Sequence, residues 1–95
     1  MTYIRLSIAR PRRGDEQRFE EVMRRLAQVT AEQEGCVASY IMKPDDDSGE
    51  IARLTFYENA AQADHAAQGQ TIMSLRSELH LISDTGHIER AFTTI

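Results

Sequence analysis

From residue 3 to residue 8 the chain alternates, with Ile4, Leu6 and Ile8 on one side and Tyr3, Arg5 and Ser7 on the other. A period of two is that of a strand with one apolar face, and it places a first strand over residues 2–9. Pro11 and Gly14 end it, and Asp15 stands where a helix cap belongs. The spacing then changes to threes and fours. Phe19, Val22, Met23, Leu26, Val29 and Thr30 predict a helix with a single buried stripe. Its outer face carries Glu20–Arg24 and Glu21–Arg25, both i,i+4 pairs in the favourable orientation, and Gly35 supplies a stop.

Val37 to Met42 reads as a second strand and Ile51 to Tyr57 as a third. The turn cluster Pro44-Asp45-Asp46-Asp47-Ser48-Gly49 joins them into a hairpin. Asn59 caps a short Ala-rich helix that Gly69 ends. Ile72, Leu75, Leu79 and Ile82 mark another helix, which closes near residues 83–86. A last strand runs from His87 to about Thr94, with Ile88 and Phe92 on alternating sites. The order β-α-β-β-α(α)-β predicts an α+β chain of the ferredoxin-like, split βαβ kind. Right-handed crossovers would put the helical segments on one face of a four-stranded antiparallel sheet. The other face still carries apolar side chains from several strands, and a second copy is the economical cover for it.

Ninety-five residues are expected to form one domain, 1–95, with a modest core of its own. A net charge of −4 argues against a nucleic-acid partner, and Arg10, Arg12 and Arg13 form only a short run around Pro11. A lone cysteine, Cys36, excludes an internal disulfide and favours a reducing compartment. No apolar run is long enough to span a membrane and no signal-peptide pattern opens the chain, so a cytoplasmic location is expected.

The chemistry-bearing residues are few. Cys36, His65, His80 and His87 lie on four different elements with no metal-ligand spacing, so no metal site is expected. Cys36 has apolar neighbours, Val37 and Ala38, and reads as a small packed residue. His80 and His87 read as surface residues. No nucleophile elbow or glycine-rich phosphate loop is present. What remains are phenol donors at Tyr3, Tyr40 and Tyr57, a fixed cation at Arg53, and a titratable ring at His65.

The stretch Leu54–His65 joins these features. A strand ending in Phe56-Tyr57, then Glu58-Asn59, an Ala-rich helix, and Asp64-His65-Ala66 resembles the antibiotic biosynthesis monooxygenase family. The first strand, Gly14, the long amphipathic helix, Glu34-Gly35-Cys36 and the closing strand match it in order and length. The resemblance implies a dimeric α+β barrel in which two ferredoxin-like sheets pack face to face. It also implies oxygenation of electron-rich phenolic or quinol substrates without metal or flavin. The chain departs from the family pattern in having no tryptophan, Phe56 standing at that aromatic position. Ser7 stands where haem-degrading relatives carry asparagine, which argues against haem degradation.

On this reading His65 or a tyrosine such as Tyr57 is the base and Arg53 stabilises oxyanion charge. Phe56, with Tyr57, forms a platform for the ring, and Tyr40 and Ser7 contact substrate. The alternatives are a small-ligand-binding or accessory dimeric barrel without turnover, or a proton-transfer isomerase on the same barrel. Helix geometry bears on the choice. If Ala60, Ala63 and Ala67 are the buried face, His65 looks to solvent; the family's face would bury Gln62, His65 and Ala66.

Overall fold

The computed structural model describes residues 1–84 and 86–95. Its elements in chain order are β1 (Tyr3–Ala9), α1 (Glu16–Ala31), β2 (Cys36–Met42), β3 (Ile51–Tyr57), α2 (Ala60–Ala67), α3 (Gln70–Leu81) and β4 (Ile88–Thr93). The strands form one antiparallel sheet in the order β2-β3-β1-β4, the ferredoxin-like α+β topology expected. None of the described helices is long and apolar enough to cross a membrane.

The α1 stripe is buried at each of the six expected positions. On its outer face Glu20 pairs with Arg24 at 3.1 Å, and also holds Lys43 beyond β2 at 2.7 Å. Glu21 turns back to Arg18 at 3.4 Å instead of reaching Arg25. Asp15 occupies the cap position without a side-chain cap bond, and just ahead of the helix the Glu16 carboxylate accepts the Gly14 N–H at 2.9 Å. Gly35 does not stop α1, which ends four residues earlier. It turns the chain into β2 with φ of +81°, and a Cβ there would stand 2.5 Å from the Gln62 side chain. Its carbonyl accepts the Glu58 N–H at 2.9 Å, tying the start of β2 to the corner between β3 and α2.

Asn59 caps α2 as expected, its side chain accepting the Gln62 N–H at 2.9 Å. Gly69 is the N-cap of α3. The expected closure over residues 83–86 includes one position outside the described residues, residue 85. β4 starts one residue later than the pattern placed it, leaving His87 just ahead of the strand.

The register decides which face meets the helices. Tyr3 lies opposite Tyr57 and Thr93, Arg5 opposite Thr55 and Ala91, and Ser7 opposite Arg53 and Glu89. Residues directly opposite in a ladder share a face. Ala9, Ile51 and Tyr57, on that same face, pack into the core with Phe19, Met23 and Leu26 of α1. The helices therefore cover the face that carries the polar set of β1. Ile4, Leu6 and Ile8 point the other way, together with Leu54, Phe56, Tyr40 and Phe92, and no described helix covers them. Tyr40, Ile88 and Phe92 remain 55%, 44% and 42% exposed.

Candidate functional site

A cavity of about 270 Å³ lies between the helix-covered face of the sheet and the helices. β1 contributes Tyr3, Arg5 and Ser7, and β3 contributes Arg53 and Tyr57. Thr30 of α1, Ala67 of α2, and Ile72 and Arg76 of α3 form the opposite wall, with Glu89 of β4 at an exposed edge. The space follows from the sequence. The strand positions here are polar and resist close packing against a helix, while the facing positions Thr30 and Ala67 are small. A cavity of about 150 Å³ holds benzene, so this one has room for a substituted single ring or a fused pair. A larger cleft, about 530 Å³, opens at the loop end near Arg10, Lys43 and Glu50. Its charges are largely satisfied on the surface, by Glu20–Lys43 and by Arg10–Asp84 at 3.3 Å.

The cavity's electrostatics are uneven. Arg5 is held by Asp64 of α2 at 2.9 Å, and Arg76 by Glu89 at 3.3 Å. Arg53 has no carboxylate partner among the described residues. Its Nη1 makes only a long bond to Thr55 Oγ1, at 3.4 Å, and that hydroxyl already shares a hydrogen bond with Ser39 at 3.0 Å. Arg53 Nε is buried without an acceptor, and so is the Thr30 hydroxyl, on a residue only 1% exposed. Burial disfavours the charged guanidinium and lowers the Arg53 pKa from its ordinary value. Unpaired buried polar atoms are rare in folded chains, because each forfeits its hydration for nothing. Both residues line the same cavity.

Tyr57 is 4% exposed, and burial pushes its phenol above the ordinary value. At neutral pH it is a donor. The raised folded-state pKa means that the unfolded chain ionises first on the alkaline side. The stability this residue contributes is thus complete below about pH 10 and is lost as pH rises through the folded pKa. Urea midpoints measured between about pH 8 and pH 11 should fall at the alkaline end, and more steeply in the wild type than in Tyr57→Phe.

Of the residues singled out in the sequence, the cavity brings together Tyr3, Tyr57, Arg53 and Ser7. Phe56 and Tyr40 lie on the other face of the sheet, in an edge-to-face pair with ring centroids 6.3 Å apart. Neighbouring strand residues point to opposite faces, so Phe56 and Tyr57 do not form one platform. His65 is exposed on α2 and does not line the cavity; the buried positions of that helix are Ala63 and Ala66. The buried face thus takes Ala63 from one alternative and Ala66 from the other, and leaves the histidine outside.

His87, taken from the sequence as a surface residue, is half-buried, its Nε2 3.0 Å from the Ser7 hydroxyl. Its ring also lies 5.5 Å from that of His80, so two of the four dispersed metal-ligand candidates meet. The signal that locates His87 is the register. Ile88 pairs with Ile8, which sets His87 beside the end of β1 on the Ser7 side. Arg5, Arg76 and Thr30 are further cavity residues that no motif marks. Cys36 packs beside the core, its thiol pKa raised by burial, in keeping with a small packed residue.

The sequence profile described as Antibiotic biosynthesis monooxygenase matches residues 2–72. No curated protein matches the chain significantly. Among solved structures it is similar to SnoaB of Streptomyces nogalater, a cofactor-independent oxygenase, in a mutant form. Identity there is 17% over 98% of this chain and 92% of that one, with a TM-score of 0.86. A protein of Mycobacterium tuberculosis is 12% identical over 100% of this chain and 96% of that one, with a TM-score of 0.91. A conserved protein of Methanosarcina mazei Go1 is 12% identical over 97% and 91%, with a TM-score of 0.89. At these identities the structural likeness concerns the fold.

Proposed function

Since the chain belongs to the antibiotic biosynthesis monooxygenase family, we propose that it is a monooxygenase whose helix-side cavity takes a small phenolic or quinol substrate. The observation that carries this reading is the cavity itself, with a half-buried Arg53 that has no carboxylate partner among the described residues beside the Tyr57 phenol. In cofactor-independent oxygenation the substrate loses a proton and its anion reacts with dioxygen. An activated ring CH2 plus O2 becomes C=O plus water, so atoms and electrons balance without a further reductant. The protein's tasks are to accept a proton, hold the anion and exclude water. Arg53 supplies the counter-charge and Tyr57 donates to the ring oxygen. Ser7 lines the cavity with His87 behind it at 3.0 Å, which makes a relay for the proton.

Oxygen uptake with a panel of hydroquinones and naphthohydroquinones, whose keto tautomers present the ring CH2, tests the reading. His87→Gln should lower the rate by about 10²-fold, the usual worth of a general base, while His65→Ala changes it less than about twofold. Ligand binding with no oxygen uptake across the panel would instead make the chain a non-catalytic binding barrel.

The same family membership supports a homodimer, joined through the apolar sheet face. The chain exposes 6194 Å², whereas monomers of its mass, 10.8 kDa, expose about 5,500 Å². The excess is close to the roughly 800 Å² that one partner contributes to a standard interface.

A further inference from the structure

We propose that the cavity's ligand is a small aromatic carboxylate, bound in its ground state as a monoanion paired with Arg53. The inference rests on the cavity being the substrate site, and it adds the charge that the substrate brings. Four arginines line the cavity, but Arg90, opposite Leu6, turns its guanidinium over the Phe92 ring on the other sheet face, which leaves those of Arg5, Arg53 and Arg76 on the helix side. Two are answered from within the chain, by Asp64 and by Glu89, and the third is not. The site is one negative charge short.

A phenol that carries no carboxylate would leave Arg53 uncompensated in the complex, and the cost of that falls on binding itself. A carboxylate is ionised at neutral pH and offers the Arg53 guanidinium, which has no carboxylate partner among the described residues, a charge-assisted hydrogen bond. Ile72 and Ala67 provide apolar wall for a ring, and the volume limits it to one or two fused rings. Glu89 and Arg76 at the rim neutralise each other and set no charge preference of their own.

The test is calorimetric titration of the intact protein with benzoate, its neutral isostere benzamide, and 4-nitrophenol at pH values below and above its ionisation. Benzoate should bind at least about tenfold more tightly than benzamide, as expected for a hydrogen-bonded charge pair. Arg53→Gln should erase the preference and Arg53→Lys should retain part of it, with circular dichroism showing that both variants are folded. Equal affinity for benzoate and benzamide, or a preference that survives in Arg53→Gln, overturns the proposal. Binding of 4-nitrophenolate without binding of benzoate overturns it too, since the anion recognised would then be a ring oxygen. These titrations need no turnover. Benzoate selectivity without oxygen uptake upholds this inference and fails the monooxygenase reading, and the reverse result does the opposite.

Discussion

Arg53→Met is expected to lower oxygen uptake by about 10²–10³-fold, the loss seen when a group that stabilises anionic charge is removed. The same substitution should leave unfolding free energy unchanged or raise it by about 1–2 kcal/mol. The two effects have one cause. Arg53 is half-buried, has no carboxylate partner among the described residues, and keeps a buried Nε without an acceptor. In the ligand-free fold it costs hydration without recovering it. Methionine fills similar length with a flexible apolar chain and removes that cost. A residue kept for packing would behave in the opposite way, with stability falling along with activity. Paired urea-melt and oxygen-electrode measurements distinguish the cases. A loss of more than about 2 kcal/mol in the melt would make Arg53 structural and remove the main support for the site.

The elements were legible in the sequence because their signals are local. The α1 stripe, the Asn59 cap and the third strand at Ile51–Tyr57 all follow from periodicity and turn chemistry. The orientation of the sheet was not. Alternation in β1 shows that Ile4, Leu6 and Ile8 share a face, but burial against helices and burial against a second sheet leave the same pattern. Here the helices take the polar side, because Ala9, Ile51 and Tyr57 on that side meet the α1 stripe. Once that is known, Tyr57, Arg53 and Ser7 fall together, while Phe56 and Tyr40 fall away from them. His65 was beyond reach for another reason. α2 is eight residues long and mostly alanine, so its hydrophobic pattern carries little directional information. His87 depends on strand pairing between residues about eighty positions apart, which no local pattern encodes.

Leu54→Glu should convert the protein into a folded monomer. Leu54 lies at the middle of the apolar face, directly opposite Leu6 on one side and Tyr40 on the other. In a two-fold interface the change occurs twice. Each copy forfeits about 1.5–3 kcal/mol of leucine burial and sets a carboxylate in apolar surroundings at a cost of several kcal/mol more. Together these exceed the margin of a micromolar dimer, about 8 kcal/mol. The helix-side core, built on Phe19, Met23, Leu26, Ile51 and Tyr57, does not include Leu54, so far-ultraviolet circular dichroism should be retained. Leu81→Glu is the control: that side chain is 72% exposed at the end of α3, away from the sheet face, and the variant should remain dimeric. Light scattering at micromolar concentration reads all three proteins. A wild-type monomer, or a Leu54→Glu dimer, would rule out this face as the interface. Because the cavity lies on the opposite side of the sheet, a folded monomer should keep the residues that line it, so loss of the dimer can be separated from loss of the site.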